Sequence, residues 1–133
     1  MGCGMPNEAI KPTDVHSYPP RTINHAFKAG NTVYTAGQVA LDKDGNLVGK
    51  GDITAQADQV FSNLQAVLRA AGASMQDVVK LNMYLTGQAD LTKVREVRQR
   101  YFTGEFPAAT GVFVSALADP DFLIEIDAIA VQS

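Results

Sequence analysis

The chain of 133 residues has one cysteine and no tryptophan. It also has no apolar run approaching the ~18 residues that cross a bilayer. Each shortage excludes something. A lone thiol, Cys3, cannot close an internal disulfide, so the fold is held by its core; a reducing cytoplasm fits this usage, and nothing about Cys3 marks it as catalytic. The start, MGCGMPNEAI, has no basic segment followed by an apolar one, and nothing else marks the chain for secretion. Its likeness to an N-myristoylation signal fails at Pro6, where that signal needs Ser or Thr. Positive charge is in deficit, with 11 Lys and Arg against 14 Asp and Glu, a net charge of -3 and a pI near 5.2. With no field to attract a phosphate backbone, nucleic acid is an unfavoured partner. The two histidines, His16 and His25, stand in separate segments without metal-ligand spacing, and no metal site is read.

What is present is ordinary for a globular protein: 46% hydrophobic and 19% charged residues over a length that suits one core. Residues 1–22 hold four of six prolines, Pro6, Pro12, Pro19 and Pro20, and are expected as an extended lead-in to a single domain over 23–133. HAFKAGNTVYTAGQV reads as a hairpin about Gly30-Asn31 with NTVYTAGQV as its second strand. LDKDGNLVGKGD reads as a loop or a small extra hairpin near Leu47. From Asp52 the apolar period becomes helical: Ala57, Val60, Phe61, Leu64, Val67, Leu68 and Ala71 recur at three and four, with Asp52 or Thr54 as cap and Gly72 as stop. VVKLNMYLT (78–86) alternates as a strand with Val79, Leu81, Met83 and Leu85 inward. Asp90 starts a second helix with Leu91, Val94, Val97, Tyr101 and Phe102 inward, closed by Gly104 and Pro107. Strands over about 109–117 and 122–131 follow, split by the turn Ala118 to Asp121.

The order β-β-α-β-α-β-β predicts an α+β fold, a mixed β-sheet with both helices packed on one face. Each helix has a one-sided apolar stripe, so together they cover one face only. The other face is not hydrophilic, because Val33 and Thr35 oppose Tyr34, and Val112 and Val114 oppose Phe113. A sheet apolar on both faces with helices for one requires a further partner, and a homo-oligomer is expected.

In FLIEIDAIAV, Glu125 and Asp127 are two apart in an extended chain and share the side opposite Ile124, Ile126 and Ala128. An unpaired buried carboxylate is costly, so each must find donors, reach water or take a proton. Two readings follow: a wetted or inter-subunit surface paired with a neighbour's Arg or Lys, or a carboxylate lining a cleft and handling water.

TAGQV at 35–39, the helix ending RAAGAS, VVKLNMYLT, and PAATGV followed by LADPDFLIEIDAIA together resemble the YjgF/Rid family of reactive-intermediate deaminases. The resemblance spans about 25–131. It implies a chorismate-mutase-like fold, a homotrimer, and small-molecule ligand clefts between subunits. It also implies hydrolysis of enamines and imines to keto acids and ammonia without metal or cofactor. In that family an arginine after Pro-Ala grips the substrate carboxylate and a glutamate positions water. Residue by residue, the resemblance assigns the glutamate to Glu125 and the ligand-facing glycine to Gly37. The arginine position is Ala109, and a methyl cannot replace a five-donor fork. The tyrosine that many deaminases carry in the lead-in is absent, its position falling at Ile23. Where active members often have asparagine stands Arg95. Arg95, Arg98 and Arg100, with Glu96 interspersed, read either as a solvated helix face or as a source of an arginine relocated into the cleft. Thr110 can hydrogen-bond a ligand or serve strand propensity alone. Tyr84 and Asn82 border the same cleft, and Asp127 suits subunit contacts.

Three functions are consistent with these residues. The first is a Rid-like hydrolase or deaminase with an altered substrate. The second is a non-catalytic trimeric metabolite-binding or regulatory protein. The third, an endoribonuclease or translation inhibitor, is disfavoured by the acidic charge and the lack of a basic groove.

Overall fold

The computed structural model describes residues 6–87 and 89–133; Cys3 and the lipidation-like start lie outside the described residues. In chain order the elements are β1 (Glu8–Ile10), β2 (Ala26–Ala29), β3 (Thr32–Thr35), α1 (Ile53–Ala70), β4 (Val78–Thr86), α2 (Leu91–Gln99), β5 (Ala108–Val114) and β6 (Ile124–Val131), with one 3-10 turn at Met75–Asp77. The strands form one six-stranded sheet in the order β1-β2-β3-β6-β4-β5. β4 and β5 run parallel and the other neighbours antiparallel, so the sheet is mixed, with both helices packed on it as the sequence predicts.

The helices begin and end where the chain's capping residues require. Asp52 Oδ1 accepts from the Ala55 amide at 3.1 Å. Gly72 takes φ +81°, a left-handed turn that closes α1 with Ala73 N donating to Leu68 O at 2.9 Å. Asp90 Oδ1 accepts from the Thr92 amide at 2.9 Å. Tyr101 and Phe102 lie just past α2, and Tyr101 Oη donates to Asp58 Oδ1 at 2.7 Å, tying the two helices. The core lies between helices and sheet: Val60, Phe61, Leu64, Leu68 and Val97 meet Val33, Leu81, Ile124 and Ile126, all fully buried. Each such side chain contributes roughly 1.5–3 kcal/mol, which is the main stabilisation of the fold.

Three local differences from the sequence reading have physical causes, while the segment near Leu47 follows it. β1 lies within the extended lead-in and pairs with β2, and Ile10 and Val15 of that segment join the core. The second hairpin strand stops at Thr35 instead of running to Val39; Ala36 and Gly37 leave the ladder and Thr35 Oγ1 takes the Ala128 amide at 2.9 Å, before Gln38 rejoins opposite Ile126. Val79 is 48% exposed, not inward, because a register shift between Val78 and Lys80 puts Val78 in the core. Near Leu47 the loop closes as a single bridge to Leu41.

Two buried amides of α1 then fix the loops around the sheet's end. Gln56 Nε2 donates to Gly49 O at 3.1 Å and Asp121 O at 2.9 Å, while its Oε1 accepts from the Leu123 amide. Asn63 Nδ2 donates to Val39 O and Leu41 O. Polar groups this deep are tolerable because their hydrogen bonds are made, and they hold both loops in place. On the face away from the helices, Phe27, Tyr34 and Val112 are 43 to 50% exposed.

Candidate functional site

Glu125 sits on β6 opposite Tyr84 of β4, its side chain on the face away from the helices. Asp127, two residues on, accepts from Asn82 Nδ2 at 2.9 Å and is held by it. Glu125 has no comparable donor among the described residues: burial, then the charge of Asp127, pushes its carboxyl above the usual range. Gly37, where the chain has left the ladder, lies against this carboxyl, and a Cβ there would stand 2.7 Å from Glu125 Cδ. Only glycine allows the acid and the turn to share that space.

A cavity of about 290 Å³ opens at this point, lined by Tyr18, Ile23, Gly37, Ala118, Phe122 and Glu125 among others. Tyr18 is held in a cluster of rings, its centroid 4.8 Å from that of the tilted His25 ring and 5.0 Å from that of His16, which meets it edge to face. His25 Nε2 donates to His16 O at 2.8 Å and its Nδ1 accepts from Gln38 Nε2 at 3.2 Å, which fixes the tautomer and ties the lead-in to the Gly37 turn. Burial first, then the charge of Glu125, raises the Tyr18 phenol above its ordinary value, so it remains a proton-bearing donor. Tyr84, on the exposed side, is raised by Asp127 first and by Glu125 last.

A second cavity, about 280 Å³, lies on the helix side at the edge of the sheet, between β4, β5 and α2. Leu81 pairs with Ala109 and Met83 with Gly111, so Ala109 and Gly111 point the same way as those core residues. Arg95 and Arg98 reach this cavity from α2, with Phe113 at its mouth. The Arg98 guanidinium lies 5.0 Å from the centre of the Phe106 ring, and its Nε is buried without a hydrogen-bond partner. Burial, then the charge of Arg95, lowers the Arg98 pKa.

Of the residues singled out from the sequence, Glu125, Gly37 and Ile23 come together in the first cavity and Arg95 and Ala109 in the second. Tyr84 neighbours Glu125 on the sheet. Thr110, on the face away from the helices, accepts from Lys80 Nζ at 2.8 Å and lines neither cavity. One residue was missed. Tyr18 is five positions before Ile23, and its signal was the rigid Pro19-Pro20 that follows and turns the chain back. Arg98 was visible as the i+3 neighbour of Arg95, on the same helix face. Among the described residues no cluster of three His, Cys, Asp or Glu side chains could hold a metal, and no helix is long and apolar enough to cross a membrane.

The sequence profile of the family described as Endoribonuclease L-PSP matches residues 15–132. A RutC family protein of Pyrococcus horikoshii is 47% identical over 108 residues, 80% of this chain and 84% of the relative. A 2-iminobutanoate/2-iminopropanoate deaminase of Dermatophagoides farinae is 34% identical over 127 residues, 96% of this chain and 98% of the relative. The crystal structure of RidA from an Antarctic Psychrobacter superposes with a TM-score of 0.85 at 35% identity, covering 94% of this chain and 99% of that one.

Proposed function

The chain belongs to the Endoribonuclease L-PSP family, the YjgF/Rid family, and from that premise we propose that it is a cofactor-independent hydrolase of small imines or enamines with an altered substrate preference. The observation that carries this reading is Glu125: a strand-borne acid with a raised carboxyl, pressed against Gly37 at the wall of a cavity that also holds a phenol. A carboxylate without fixed donors is available to a water, and a raised pKa makes it a better acceptor of that water's proton. Water adds through its oxygen to the C=N carbon and gives its proton to Glu125. The nitrogen takes a proton, the C–N bond of the carbinolamine breaks, and keto acid and ammonia leave. Tyr18 supplies a hydrogen bond to the adding oxygen or the departing nitrogen.

Glu125 and Arg95 belong to different cavities on opposite faces of one protomer, so a single chain does not join the acid to a cation. A second copy does, if the uncovered sheet faces of Phe27, Tyr34 and Val112 pack together and set the Glu125 cavity of one subunit beside the Arg95 cavity of the next. A homotrimer with three such clefts is the assembly we assign. In it Arg95 takes over the carboxylate grip that a residue longer than Ala109 would otherwise supply. The test is ammonia release from the imine that an amino-acid oxidase generates from alanine. Glu125→Gln should lower the protein-dependent rate by at least about 100-fold; an unchanged rate rejects the role of Glu125. The absence of a guanidinium at Ala109 favours a second reading, a metabolite-binding protein without turnover, for which a ligand would raise Tm while remaining chemically unchanged.

A further inference from the structure

We infer that Arg95 and Arg98 together form a dicarboxylate site, so that the substrate of this cleft is the imine of a dicarboxylic amino acid. The inference rests on the hydrolase reading for its chemistry but not for its binding. The two guanidiniums stand at i and i+3 on α2 and reach the same cavity, where neighbouring side chains lie within interaction range. Among the described residues no ion pair neutralises them: the one found joins Lys50 to Asp121, and Glu96 is adjacent in sequence and does not share their face. Arg98 is half-buried with its guanidinium 5.0 Å from the centre of the Phe106 ring, and its Nε–H is buried without an acceptor among the described residues. An unmade hydrogen bond on a charged group is costly, and a ligand oxygen is what would complete it. A monocarboxylate satisfies one fork and leaves two like charges facing each other; a dianion satisfies both. Ala109 and Gly111, with no side chain longer than a methyl, leave the space for the second carboxylate. The reaction is unchanged: water adds to C=N, the C–N bond breaks, and a keto diacid and ammonia result.

The test compares succinate, propionate and inorganic phosphate by calorimetry on the full chain, with turnover of oxidase-generated imines of aspartate and alanine alongside. Succinate should bind at least about tenfold more tightly than propionate. Arg98→Gln should bring the two to within about twofold, and Arg95→Gln should weaken both. Arg98→Lys, which keeps the charge and loses the fork, should retain part of the preference, and it carries the test if Arg98→Gln fails to fold. Equal binding of succinate and propionate, a preference unmoved by either variant, or phosphate binding more tightly than succinate would overturn the inference. A succinate preference without turnover of any imine would uphold the site and reject the hydrolase. Turnover of both imines at equal rates with no succinate preference would do the reverse.

Discussion

Glu125 and Arg98 line the two cavities, and each is a partly buried ionisable group without an ion-pair partner among the described residues, yet the fold arrives at them differently. Glu125 is set by the sheet: strand alternation decides its face, and the break at Ala36–Gly37 makes room for it. Arg98 is set by a helix surface, and only the Phe106 ring orients it. The Glu125 cavity is therefore shaped by backbone at Gly37, while the Arg98 cavity is built from α2 side chains around Ala109.

The sharpest way to break the contrast is at Gly37. Gly37→Ala places a methyl where the Glu125 carboxyl lies, and should cut imine hydrolysis about as strongly as loss of the acid, at least about 100-fold. Measured kcat/KM near wild type would show that the acid does not need its present position. On the other side, Arg95→Gln should raise KM for any imino acid by about tenfold with a smaller change in kcat, the signature of a binding group. A kcat loss with unchanged KM would assign Arg95 to chemistry instead. Ala109→Arg should shift preference toward monocarboxylate imines by a few-fold, by refilling the space beside Arg95. Equal rates on both imine classes before and after would remove Ala109 from the site.

The smallest effect is on stability. The folded pKa of Glu125 is raised above the ordinary glutamate value, so the folded state holds its proton more tightly than the unfolded chain. Its contribution is therefore most favourable below that value and is lost as pH rises through the folded pKa. Glu125→Gln removes this penalty and should raise Tm slightly at pH 7, with the gain vanishing near pH 4. A Tm loss growing with pH would mean that the carboxylate has a partner.

Most of the sheet and both helices were legible because period, caps and turn residues agree: Asp52, Gly72 and Asp90 do in the fold what their chemistry predicts in the sequence. Val79 was misread because alternation cannot reveal a register shift, which depends on the partner strand. β1 was hidden in a proline-rich lead-in whose three pairing residues carry no periodicity of their own. In the site, the face of Glu125 was legible through strand alternation, and Gly37 only through the resemblance of TAGQV to the family. Tyr18 was not, because a ring delivered by an irregular segment is positioned by His16 and His25, contacts that no local pattern encodes. Of the two readings of Arg95 and its neighbours, both keep a basis in the fold: Arg95 is exposed on α2, and with Arg98 it lines a cavity beside the short side chains of β5.

The assembly of one cleft from two copies is tested most directly by mixing subunits. Glu125→Gln and Arg95→Gln proteins, each deficient alone, are dissociated together, reassembled at equal ratio and assayed for ammonia release from imine. If the acid and the cation act across a subunit boundary, activity should recover to about a quarter of wild type, since that share of boundaries pairs two intact halves. A mixture no more active than its components would contradict the account.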